Sequence, residues 1–181
     1  MSTPLTAEEK EQRSVAKNKL ENSTALIIVE DEFTRTYVKR IFREILELEN
    51  TVEFTTPDEA IKYLEQYTRK DLSCVVSSVN FLDGSTGADF LRYLRSTPSP
   101  VVAPFVLIGD NTDAAIQYVF LVKHFAGHIN QSFTPSEFVR MLLEVFTVRD
   151  RRREKRELDN DEKNSRPFNR LYQGGKKIDK D

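Results

Sequence analysis

At 181 residues the chain is long enough for one well-buried domain with extensions, and too short for two comfortable ones. Its 27 basic and 29 acidic residues nearly cancel, which argues against bulk electrostatic attraction to nucleic acid or membrane and leaves such binding to a local patch. One cysteine, Cys74, excludes an internal disulfide, and its apolar neighbours Val75 and Val76 make it a buried structural thiol. No apolar run is long enough to cross a bilayer, and the polar N-terminus resembles no secretion signal, so a soluble cytoplasmic protein is expected.

Composition divides the chain into residues 1–23, 24–147 and 148–181. The first segment opens with Thr6-Ala7-Glu8-Glu9, a capping box that predicts a helix start. Its apolar residues, Leu5, Val15, Ala16 and Leu20, are too sparse for a core-facing stripe, so this helix is expected to lie outside the core. Ala25-Leu26-Ile27-Ile28-Val29 then forms a short apolar run that stops at Glu30-Asp31-Glu32, as a strand buried on both faces does. Tyr37, Val38, Ile41, Phe42, Ile45 and Leu46 follow at helical spacing. Thr51 to Thr55 alternates as a strand, and Pro57 precedes a helix through Leu64.

Leu72 to Ser77 reads as the next buried strand, followed by a Gly-containing loop, Asn80 to Gly87, and a helix carrying Phe90, Leu91 and Leu94. The turn Ser96 to Pro100 breaks that helix. Phe105-Val106-Leu107-Ile108 is a fourth strand, ending at Gly109 and leading to a helix with Ile116, Val119, Phe120 and Val122. Gly127 to Asn130 is a short fifth strand. Thr134-Pro135-Ser136-Glu137 then starts a helix with Phe138, Met141, Leu142, Val145 and Phe146 on its apolar stripe.

Strand and helix alternate five times, which specifies a doubly wound α/β fold around a parallel sheet with right-handed crossovers. Its strand ends should bring Glu30, Asp31, Ser78 and Gly109 to one edge, where open α/β sheets bind ligands. Adjacent carboxylates there suit a hard divalent cation such as Mg²⁺, or else simply start the next helix at its positive end.

Val29-Glu30-Asp31-Glu32 after the first strand, Ser78-Val79-Asn80-Phe81-Leu82-Asp83-Gly84-Ser85 after the third and Ala126 to Phe133 around the fifth resemble the receiver domain of bacterial two-component response regulators over about Ala25 to Phe146. The resemblance implies a flavodoxin-like, five-stranded parallel sheet. It also exposes departures. The family's phosphoacceptor aspartate falls at Ser78, with Thr86 an extra residue in the loop; the hydroxyl residue of the fourth strand falls at Gly109; the lysine of the last loop falls at Gln131, and its proline at Ser132. The fifth-strand aromatic falls at His128.

Phosphoryl transfer depends on positioning and charge neutralisation, so these losses together remove most of its machinery. Ser78 has no adjacent base in sequence, and Asp83, which would have to reach back as a substitute acceptor, lies in a turn-forming Asp-Gly-Ser run. By resemblance, Mg²⁺ at Glu30 and Asp31 would be weakly held, and no other cofactor is implied. The partner face would include Tyr118, Phe120, His128 and Phe133, which could equally be core. No cysteine or second histidine stands at ligand spacing from His124 or His128, which argues against zinc.

Arg149 to Glu157 continues the last helix in good helix formers and includes Arg151, Arg152 and Arg153, a solvated extension or a binding patch. Asn164 to Asp181 is expected to be disordered when free. There Arg166, Phe168, Arg170 and Tyr172 mix charge with aromatic surface, able to stack on bases, dock in an acidic groove or fold back. The expected function is a non-phosphorylatable receiver-like interaction module, not an enzyme, whose partners are signalling proteins such as a histidine kinase or another two-component protein. The alternatives are a receiver switched through Ser78 or Asp83, and a nucleic-acid-associated protein using the basic tail. Neither membrane nor dinucleotide binding is indicated.

Overall fold

A computed structural model describes residues 6–21, 23–66, 72–97, 103–110 and 126–165; in the last helix it describes side chains as far as Leu158, apart from Arg152 and Arg156. The helix expected around Ile116 to Val122, with Tyr118 and Phe120, lies outside the described residues, as do Arg166, Phe168, Arg170 and Tyr172. The chain divides into two compact units, Met1–Arg149 and Asp150–Asp181.

In the first unit, helix α1 (Ala7–Leu20) precedes strand β1 (Thr24–Ile28), helix α2 (Glu32–Arg40), strand β2 (Thr51–Phe54) and helix α3 (Pro57–Gln66). Strand β3 (Leu72–Ser78), helix α4 (Gly87–Ser96), strands β4 (Phe105–Ile108) and β5 (Ala126–Ile129) and helix α5 (Pro135–Ser165) follow. The strands form one sheet in the order β2-β1-β3-β4-β5, every neighbouring pair parallel. This is the expected doubly wound architecture.

Strand periodicity sends alternate residues to opposite faces of the sheet. Ala25, Ile27, Cys74, Val76, Val106 and Ile108 enter one core with residues of α1, α2 and α5. Leu26, Ile28, Val75, Phe105 and Leu107 enter the other with residues of α3 and α4. Burial pushes the Cys74 thiol up to about 12, far from a reactive thiolate. On the first face Phe42 meets Phe138 edge-on at 5.6 Å. There α2 passes into a π-helical turn, Ile41–Ile45, that keeps Ile41 and Phe42 buried.

Helix α1 departs from the sequence expectation. Its capping box forms, with Glu9 N donating to Thr6 Oγ1 and the Glu9 carboxylate accepting from Thr6 N. Instead of lying outside, the helix buries Ala16 and Leu20 completely in the first core. These residues stand four apart and so share a helix face; two well-placed side chains suffice where a full stripe was sought. Ser136 Oγ donates to Glu9 at 2.7 Å, Lys17 pairs with Glu47, and Lys19 lies over the Phe146 ring. These contacts tie α1 to α5 and to the segment that follows the π-helical turn.

In the second unit α5 continues to Ser165, with Arg151 and Arg153 exposed and Arg153 Nε 2.9 Å from Glu157. No helix among the described residues is long and apolar enough to cross a membrane.

Because Leu20 is a core residue, Leu20→Ala is expected to destabilise the full-length chain by about 2–5 kcal/mol, read from urea unfolding. An unchanged midpoint would place α1 outside the cooperative fold.

Candidate functional site at the strand ends

At the carboxyl end of β1 the chain leaves the sheet through Val29 and Glu30, and Asp31 caps α2, its Oδ2 accepting from Thr34 N at 2.7 Å. Hydrogen bonding from Thr34, with Arg35 adding charge, holds the Asp31 carboxyl below its ordinary range. Arg35 turns back and donates through Nη1 to the carbonyls of Val29 at 2.7 Å and Glu30 at 3.0 Å. Glu30 reaches across to the β3–α4 loop, where Oε2 accepts from Leu82 N at 2.9 Å. Both acids therefore hold backbone in place.

At the end of β3, Ser77 is wholly buried and donates to the Ser78 carbonyl at 3.1 Å, while Ser78 is half-buried. The loop after it folds on itself: Phe81 N donates to Ser85 O, Gly84 N to Phe81 O, and Gly84 takes a positive φ of 84°. Asp83 closes this turn, accepting from Ser85 N at 2.8 Å and Ser85 Oγ at 2.6 Å. Those bonds lower its pKa, and Asp83 does not line the cavity below. Gly87 then starts α4 so close to β3 that a Cβ would lie 2.2 Å from the Ser78 carbonyl oxygen.

Glu30, Asp31, Ser78, Gly109 and Gln131 line one cavity of about 280 Å³. The structure brings all five together. Thr34, Asn80 and Asp110 line it as well, three residues that the sequence reading passed over. Asp110 had a signal, since it directly follows the strand-end Gly109; Asn80 and Thr34 depend on how the loop and the cap turn inward. Among the described residues, no basic side chain lines the cavity. Among the described residues, no group of three or more His, Cys, Asp or Glu could hold a metal ion.

The two described members of the expected partner face are engaged within the fold. His128 is half-buried and donates from Nε2 to the Gly109 carbonyl at 2.5 Å, joining β5 to the end of β4. Phe133 packs between Tyr37, at 5.4 Å, and Phe138, at 5.7 Å. It is a core contact more than a surface anchor.

No family model matches the chain, and no curated protein matches its sequence. Solved structures match its fold. Chemotaxis protein CheY4 of Vibrio cholerae is 16% identical with a TM-score of 0.56, covering 68% of this chain and 98% of its own. The fold is that of a response-regulator receiver domain. The signal receiver domain of a Syntrophus aciditrophicus histidine kinase is 17% identical with a TM-score of 0.55, covering 69% of this chain and 90% of its own. A Sinorhizobium medicae response regulator receiver protein is 16% identical at 0.56, covering 72% and 98%. At these identities the likeness establishes the receiver fold.

A carboxylate whose folded pKa is depressed adds stability above its ordinary value, about 3.9 for Asp, and loses it as pH falls through the folded value. Asn caps a helix without titrating. The stability difference between the native chain and Asp31→Asn should therefore shrink as pH falls from neutrality through that window. Urea unfolding across pH checks this, and a pH-independent difference would contradict it.

Proposed function

We propose that this chain is a receiver-fold signalling module that works by binding protein partners without accepting a phosphoryl group. The observation that carries the reading is the composition of the strand-end cavity. Ser78 stands at the end of β3, Gly109 follows β4 and Gln131 occupies the last loop, while Glu30, Asp31 and Asp110 supply negative charge; among the described residues no basic side chain lines the cavity, and Arg35 beside it is turned to the Val29 and Glu30 carbonyls. A dianionic phosphoryl group placed there would meet like charge, whereas enzymes and switches that handle phosphoryl groups surround them with cations and hydrogen-bond donors.

The donor set supports the same reading for Mg²⁺. Glu30 and Asp31 each accept a backbone amide, Ser78 brings a hydroxyl, and among the described residues no group of three or more His, Cys, Asp or Glu, Asp110 included, is placed to hold a metal ion. This set does not fit a resident divalent ion, which takes hard oxygen ligands and leans on carboxylates and substrate phosphate for its charge balance. Asp83, engaged by Ser85 outside the cavity, offers no substitute acceptor.

Likeness to the receiver of a histidine kinase and to a chemotaxis protein supports two-component signalling as the setting. Histidine kinases and other two-component proteins are the proposed partner class, with binding as the output. Intact mass spectrometry of the full-length chain after Mg²⁺ and acetyl phosphate, beside an ordinary receiver as positive control, tests the proposal. The expected spectrum carries no phosphoryl adduct. An adduct mapped to Ser78 or Asp83 would overturn it.

A further inference from the structure

Four large apolar side chains are exposed among the described residues: Val15, Phe33, Leu82 and Leu158. Two of them lie at the carboxyl edge of the sheet and are the most exposed, Leu82 at 91% and Phe33 at 82%. Their backbones are anchored. Phe33 sits in the first turn of α2 under the Asp31 cap, and the Leu82 amide is bound by Glu30. Both side chains are thus presented to solvent from positions that cost little further ordering on binding.

Their surroundings are acidic. Asp31 and Glu32 precede Phe33, Asp83 follows Leu82, and all three are exposed, as is Asp110, which lines the cavity with Asp31. Hydrogen bonds from Thr34 and Ser85 keep Asp31 and Asp83 ionised well into acid. Arg35 points inward to the carbonyls of Val29 and Glu30. Apolar anchors ringed by charge form the usual plan of a protein-docking patch, with an aromatic residue as the natural centre.

We propose that Phe33 and Leu82 form the apolar centre of a docking surface whose occupant is a partner protein segment carrying basic residues around one or two apolar side chains. The proposal rests on the reading of the chain as a binding module and names where, and to what chemistry, it binds. Charge complementarity selects the occupant: the acidic rim attracts Lys and Arg, and repels nucleic acid and anionic lipid.

The test uses the full-length chain and a short fluorescein-labelled helical peptide of Lys and Leu, with Leu at i, i+3, i+4 and i+7, read by fluorescence anisotropy. The Lys/Leu peptide should bind, its Glu/Leu counterpart should not, and Phe33→Ser with Leu82→Ser should weaken binding at least tenfold. Leu158→Ser, another exposed apolar position, should leave affinity unchanged, and Glu32→Gln should weaken binding and flatten its salt dependence. Both serine substitutions lie on the surface, and matching urea midpoints would establish that the double variant is folded. Equal affinity of the double variant, no binding of the Lys/Leu peptide, or capture of a DNA duplex or phosphatidylserine vesicle that the double variant abolishes would overturn the proposal. A phosphoryl adduct would overturn the preceding reading while leaving this peptide result in place.

Discussion

Because β1 and β3 lie side by side in a parallel sheet and are apolar on both faces, water must be excluded from both sides, and the other elements of the first unit take their places from that requirement. Helices α1, α2 and α5 close one face, and α3 and α4 the other. Close approach depends on small residues. A Cβ on Gly127 would lie 2.3 Å from the Met141 sulfur, so glycine lets α5 settle onto β5, as Gly87 lets α4 settle onto β3.

With both faces sealed, polar chemistry moves to the strand ends, where backbone groups leave the sheet and need partners. In this chain the acids there meet that need. Glu30 binds the Leu82 amide, Asp31 caps α2, Asp83 closes its own turn, and His128 bonds the Gly109 carbonyl. The loops are held by side-chain contacts internal to the protein. Among the described residues the edge carries negative charge and two exposed apolar side chains, Phe33 and Leu82.

Much of this was legible in the residues. The apolar runs ending in Glu30 and Ser78 marked the strands, chain order then placed Glu30, Asp31, Ser78 and Gly109 at one edge, and the resemblance to receiver domains added Gln131. Helix α1 departs from expectation because a periodicity argument counts apolar residues, whereas Ala16 and Leu20 join a core shared with the sheet, α2 and α5. Exposure was equally hidden. Phe133, open in the sequence to either a surface or a core place, packs beside Tyr37 and Phe138, while Phe33, next to a core-facing helical stripe, is exposed to water. Such outcomes follow from tertiary packing and leave no mark in local spacing.

The central claim is that the strand-end acids are committed to holding the protein's own loops and not to a metal-assisted phosphoryl site. Titrating isotope-labelled full-length protein with Mg²⁺ and following the backbone amides of Leu82, Thr34, Ser78 and Gly109 by NMR tests it directly. The account predicts resonances that stay in place apart from a weak, unsaturating drift shared with other acidic surface positions. Saturable shifts confined to these amides would show that Glu30 and Asp31 bind the ion, and would contradict it.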